Sequence, residues 1–239
     1  MINHAEVVQR IRRANWRDKI ERERIIAKNF PRTRPIISYL RQKYNFGATR
    51  VLDIGSGFGD TLLYWGPDSE GIDIVSDVSS LPEALGYTIH HTNVEDSLLP
   101  PETSPFDRVF SANLIEHLVA PHLFLVRVRD MLADNGILAL GHPTVSPLRH
   151  IFGQKLQYRG YASSEHINFF TPTTVALMLE RAGFEIIEQV VPRRHFVLRR
   201  ALWTAPVVYS ICRRVPGWKY PSKRAAAFDP QFASLDHYH

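Results

Sequence analysis

Residues 51–59, VLDIGSGFG, constrain this chain more than any other stretch. Val51 to Ile54 read as a short apolar strand. The strand runs into Gly55, Gly57 and Gly59, which alternate with Ser56 and Phe58. Such glycines let the backbone turn sharply and let a ligand approach without Cβ clashes. The pattern predicts a helix next, through Leu62, Leu63 and Trp65, stopped by Gly66-Pro67. A strand, a glycine turn and a helix N-terminus with free N–H groups form a common ligand cradle.

The rest of the chain extends that unit. Residues 4–28 read as a polar helix with Val7, Val8, Ile11, Ile25 and Ile26 at near-helical spacing. Pro31 and Pro35 are expected to break it before a short helix over 36–45. Further strands are expected at 71–75, 87–91, 106–112, 137–140 and 184–191. Helices are expected at 121–132 and after Thr171-Pro172, where Thr171 caps and Pro172 takes the first helical position. Strands alternating with helices imply an α/β fold, a mostly parallel sheet covered on both faces. Residues 143–165 read as a long loop at the edge where such sheets carry function.

Acidic residues narrow the ligand. A dinucleotide fingerprint needs G-x-G-x-x-G. Here the third position holds Asp60, and Asp53 stands two residues before the first glycine. Both would repel a pyrophosphate. A phosphate-free ligand with a cationic amino-acid end suits them better, and S-adenosyl-L-methionine is such a ligand. Asp73, at the end of the second strand, is placed to take the ribose hydroxyls. Asp77 is a nearby rival.

At this point the chain from about 49 to 190 resembles the class I S-adenosylmethionine-dependent methyltransferases, in their small-molecule, lipid and sugar branch. VLDIGSGFG (51–59), EGIDIV (70–75), FDRVFSANLIEHL (106–118), MLADNGILALGHP (131–143) and HINFFTPTTVALMLERAGFEII (166–187) look like that family's motifs, in order. The resemblance implies a Rossmann-like sheet of seven strands, the last antiparallel, part of it drawn from 192–202. It implies that Asp53, Gly55, Ser56, Gly57 and Gly59 hold the methionine end. Asp73 would hold the ribose, Asn93 and Val94 the adenine, and Asn113 would border the sulfonium. Asn93 stands where the family usually has Asp. The implied organisation is a basic helical arm at 1–48, the cofactor-binding domain at 49–191 and a basic extension at 192–239.

Methyl transfer to a hydroxyl or phenol needs a base for the acceptor's proton. Histidine suits that task near neutral pH. His117 after the fourth strand, His142 after the fifth and His166 at the end of the long loop are the candidates. In ubiquinone-pathway O-methyltransferases a similar Glu-His is joined by an acid three residues earlier, and that set holds a metal. Asn113 stands at that position here, so no metal is expected.

Charge is distributed unevenly. Residues 1–50 carry net +9, residues 51–188 net −11 and residues 189–228 net +9. A uniformly basic nucleic-acid binder would not look like this, and no Asn/Asp-Pro-Pro-aromatic run of base-methylating enzymes follows the fourth strand. The expected partner is a small-molecule or lipid-linked acceptor such as a sugar, quinone or lipid, with no nucleic acid. Residues 196–214, with Arg199, Arg200, Arg213 and Arg214 at their ends, read as a surface-lying or lid element. Peripheral contact of this arm with an anionic membrane is one option, and a homodimer contact is another. One cysteine, Cys212, excludes an intrachain disulfide framework. With no apolar run near ~18 residues, the expectation is a cytoplasmic protein, peripheral contact at the inner membrane surface being left open. The leading expectation is an O-methyltransferase. The alternatives are a nicotinamide- or nucleotide-sugar-binding oxidoreductase and a non-enzymatic cofactor-binding module.

Overall fold

The computed structural model describes residues 4–14, 19–75, 81–96, 99, 103, 105–145, 165–191 and 207–220. Seven strands form one sheet: β1 Val51–Ile54, β2 Glu70–Asp73, β3 Thr88–His91, β4 Phe106–Ala112, β5 Leu132–Pro143, β6 Phe184–Val190 and β7 Val207–Arg214. Their order is β3-β2-β1-β4-β5-β7-β6. Strands β1 to β5 pair in parallel, and β7 pairs antiparallel with both β5 and β6. The order reverses between β1 and β4, which makes the crevice beyond their carboxyl ends the expected ligand site.

Side-chain alternation sorts the strands into two apolar layers. Leu52, Ile54, Val109, Leu138, Leu140 and Cys212 face one layer. It is covered by α3 (Pro121–Met131) and α4 (Pro172–Arg181), through Phe124, Leu125, Val128, Val175 and Leu179. Thr171 caps α4 as its sequence predicts, exchanging bonds with Thr174 in a capping box. Val51, Phe110, Ala139, Tyr209 and Ile211 face the other layer. Its cover comes from α1 (His4–Arg13) and α2 (Lys19–Tyr44), through Val7, Ile11, Ile36, Ile37, Leu40 and Tyr44.

Strand β5, expected at 137–140, is longer at both ends, and three other elements differ from their sequence expectation. Helix α2 runs unbroken through Pro31 and Pro35. Pro35 is exposed, so a freed carbonyl on that side can meet water. The burial of Ile36, Ile37 and Leu40 fixes the helix against the sheet. Proline's local penalty is here outweighed by tertiary burial. The helix expected after the glycine turn is only a 3-10 turn, Leu62–Tyr64. Gly66-Pro67 ends the segment after barely one turn, and α2 covers the face that a longer helix would have occupied. The seventh strand is Val207–Arg214, not part of 192–202. A strand inserted between two others is buried on both faces, and Val208 to Cys212 are buried throughout. Residues 192–206 lie outside the described residues. Among the described residues, no helix is long and apolar enough to cross a membrane.

The basic flanks are partly spent inside the fold. Glu188 on β6 accepts from Tyr44 at 2.6 Å and Lys43 at 2.8 Å, and from Tyr39. Arg50 pairs with Glu70, Arg213 with Glu185 and Arg214 with Asp134. Arg199 and Arg200 lie outside the described residues.

Candidate active site

The glycine turn sits at the carboxyl end of β1. Gly55 and Ser56 donate their N–H groups to the carbonyl of Ile72, at 2.8 and 3.1 Å, which ties the turn to β2. Gly57 has φ +50°, and a Cβ there would meet nothing within 4 Å. Its outer face is therefore open to a ligand. Gly59, at φ +66°, leaves no such room, since a Cβ there would lie 2.6 Å from Pro82. Ser56 is buried, and its hydroxyl has no hydrogen-bond partner.

Two acids hold this turn from below and from the side. Asp53 is fully buried; its Oδ2 accepts from the Thr61 hydroxyl at 2.5 Å and the Trp65 indole N–H at 2.9 Å. Burial pushes its carboxyl up to about 7, against the two hydrogen bonds, which favour the carboxylate. Asp73 ends β2. Its Oδ2 accepts from Gly57 N–H at 2.7 Å and its Oδ1 from Val75 N–H at 2.9 Å. Each oxygen keeps a second lone pair for a further donor. Asp77, the rival for the ribose, lies outside the described residues. Asn93 folds its Oδ1 back onto Glu95 N–H at 3.0 Å, and Val94 is buried beside it.

A second group gathers after β4. Asn113 is exposed at φ +53°, its N–H bonded to the Gly141 carbonyl at 3.0 Å. Leu114 packs against Gly55. The 3-10 turn Ile115–His117 then presents Glu116, which is 1% exposed, with burial lifting its carboxyl to about 7. Its Oε1 lies 3.9 Å from His117 Nε2 and 3.9 Å from His166 Nε2. The Glu116 carbonyl accepts from Ile167 and Asn168 N–H, both at 3.0 Å, which fixes His166 beside it. The two imidazole rings meet edge to face, 4.7 Å apart.

The three candidate histidines therefore separate. His117 and His166 converge on one carboxylate. His142 lies inside β5 rather than after it, because that strand extends to Pro143 in register with β7. It is fully buried, its Nδ1 bonded to the Pro143 carbonyl at 3.1 Å and its Nε2 unpartnered. Burial lowers it to about 4, which ill suits a base near neutral pH. Sequence spacing did not single out Glu116, Thr61 or Trp65. Glu116 stood beside a chosen histidine, but its approach to His166 spans 50 positions and is set by the fold alone.

The family described as "Methyltransferase domain" matches residues 8–189. The chain belongs to that family. Its seven-stranded sheet is the Rossmann-like sheet of these enzymes, and S-adenosylmethionine is the methyl donor. A ubiquinone biosynthesis O-methyltransferase of Ruegeria sp. (strain TM1040) is 25% identical over 172 residues, covering 66% of this chain and 67% of that protein. A solved S-adenosylmethionine-dependent methyltransferase from Mesorhizobium loti superposes with TM-score 0.57 at 17% identity, covering 76% of this chain and 97% of that one. The magnesium protoporphyrin IX methyltransferase of Synechocystis PCC 6803, with bound S-adenosylhomocysteine, gives TM-score 0.53 at 14% identity, covering 88% and 93%. The oxidoreductase and non-enzymatic alternatives are not favoured by this membership.

Proposed function

We propose that this methyltransferase acts on a hydroxyl oxygen of a small acceptor. The observation that carries the proposal is the Glu116–His117–His166 group, joined to the glycine turn through Leu114 and Gly55. S-adenosylmethionine supplies the activated methyl group when bound. What this chain adds is alignment of donor and acceptor, and a place for the acceptor's proton.

The open face at Gly57 fits the cofactor's methionine end, with Gly55, Ser56 and Gly59 shaping the turn and Asp53 beneath it. Asp73 takes the ribose hydroxyls with its spare lone pairs. Asn93 and Val94 border the adenine, and Asn113 the sulfonium. On the acceptor side, one of the pair His117 and His166 accepts the hydroxyl proton, with Glu116 beside both to stabilise the resulting positive charge. The named activity of the Ruegeria relative supports oxygen as the acceptor atom.

Val119, Ile167 and Phe169 are 80%, 54% and 58% exposed and flank this group in sequence. They favour an acceptor with an apolar part, such as a lipid-linked phenol, over a bare sugar. The test is transfer of labelled methyl from the cofactor to short-chain and long-chain alkyl phenols. Transfer that rises with chain length supports the proposal. Cofactor binding with labelled methyl only on nitrogen or carbon acceptors overturns it.

A further inference from the structure

We infer that the Tyr209 hydroxyl binds the carboxylate at the methionine end of the cofactor. Beside its cations, that end of S-adenosylmethionine carries one carboxylate, which needs hydrogen-bond donors. The glycine turn has few to give. The N–H groups of Gly55 and Ser56 go to Ile72, that of Gly57 to Asp73 and that of Gly59 to Ser56. The Thr61 hydroxyl goes to Asp53. The Ser56 hydroxyl is buried against Gly71, on the side away from the open face of Gly57. A donor for the carboxylate has to come from another element.

Tyr209 stands on β7, beyond the residues matched to the family. It lies opposite Gly141 in the β5–β7 ladder and is 5% exposed. A Cβ at position 141 would lie 2.8 Å from the ring carbon that bears the hydroxyl. Glycine there lets the ring lie across β5 toward β4. The ring stacks on Phe110 at 6.1 Å, and Phe110 packs at 5.2 Å against Trp65, which donates to Asp53. This aromatic row runs from β7 to the acid beneath the glycine turn. The Gly141 carbonyl accepts from Asn113, so Tyr209 is level with the residue proposed to border the sulfonium.

Among the described residues, nothing accepts from the Tyr209 hydroxyl. A hydroxyl on so buried a side chain is costly until a ligand takes it. Its surroundings keep it a donor. Burial, with the carboxylates of Asp60, Asp53 and Glu116 around it, pushes the phenol up, so it stays protonated near neutral pH. A neutral donor among these acids offers a bound carboxylate a partner where their charges would repel it. The inference rests on the proposed placement of the methionine end at the Gly57 turn, and leaves the roles of His117 and His166 as they stand.

The test is calorimetry on the full chain with S-adenosylhomocysteine and with its decarboxylated analogue, which keeps the ammonium, ribose and adenine. Tyr209→Phe retains the ring over Gly141 and the stack on Phe110, so thermal melts should hold. It should weaken S-adenosylhomocysteine by about tenfold or more, as loss of a hydrogen bond to a charged group does, and leave the analogue unchanged. The two ligands are compared within one variant, so a loss of stability does not mimic this result. Equal loss for both ligands, or no loss for either, overturns the inference. Gly57→Ala should weaken both. If it does so while Tyr209→Phe weakens neither, the cofactor placement stands and only the role of Tyr209 falls. If Gly57→Ala weakens neither, the placement falls and the inference with it.

Discussion

The indole N–H of Trp65 donates to the buried carboxylate of Asp53 at 2.9 Å, directly beneath the glycine turn. Burial holds that carboxyl up at about 7, so near neutral pH a large share of the free protein carries the proton. The cationic amino-acid end of the cofactor favours the charged form, and binding then releases the proton. Affinity for S-adenosylhomocysteine should rise with pH below about 7, by up to about tenfold per unit, and level off above it. Asp53→Asn should flatten the curve. Calorimetry between pH 5.5 and 8.5 checks this, and a wild-type slope of zero would sink it.

The same carboxyl predicts a stability trend of definite sign. Its folded pKa lies above its unfolded value, so between about 4 and 7 the folded chain holds a proton that the unfolded chain has released. Stability from this group is fully present below about 4, is lost as pH rises toward 7, and is flat beyond. The slope is about 1.4 kcal/mol per unit at most. The difference between wild type and Asp53→Asn in urea midpoints should therefore shift in the variant's favour from pH 5 to pH 7. A constant difference would show that Asp53 does not titrate in that window.

Gly57 and Gly59 should separate binding from folding. Gly57→Ala adds a methyl group into open space at φ +50°, at a strain of about 1–2 kcal/mol. It should lose most cofactor affinity because that space is where the ligand approaches. Gly59→Ala puts its methyl 2.6 Å from Pro82 and should cost more stability. Thermal melts with and without S-adenosylhomocysteine distinguish the two. Equal ligand-induced shifts in both variants would argue against the cradle at Gly57.

Much of the sheet is legible because its signals are local. Val51–Ile54, Phe106–Ala112 and Phe184–Val190 are short segments rich in strand-forming apolar and aromatic residues, and Thr171-Pro172 announces its helix chemically. What escapes is set at a distance. Whether α2 survives Pro31 and Pro35 depends on the sheet beneath Ile36 and Leu40. Where β7 begins depends on pairing Val207 with Pro143 and Tyr209 with Gly141. The site divides the same way: the glycines and Asp73 stand in two short motifs at the ends of neighbouring strands, but Glu116 and His166 are 50 positions apart and meet only in the folded protein.

The covering role of α2 predicts a large penalty for a small change. Leu40 and Ile36 are buried beside Val51 and Phe110, on a helix that replaces the missing one after β1. Leu40→Ala should cost about 2–5 kcal/mol. A surface-arm role would cost roughly 0.5 kcal/mol or less. Urea denaturation followed by tryptophan fluorescence decides between them.

The arginines at the end of β7 should part company. Arg213 is nearly half exposed and pairs with Glu185, itself largely exposed, at 3.5 Å. Such pairs contribute about 0–1 kcal/mol, so Arg213→Ala should be nearly neutral. Arg214 is mostly covered, donates to the Leu132 carbonyl and pairs with Asp134 at 3.6 Å. Leu132 is buried at the junction of α3 and β5, and removing the donor strands its carbonyl. Arg214→Ala should therefore cost about 1–3 kcal/mol. Because that side chain is committed to the fold, its loss should leave binding to anionic vesicles unchanged in co-sedimentation. Weaker vesicle binding at full stability would instead place Arg214 on a membrane-facing surface.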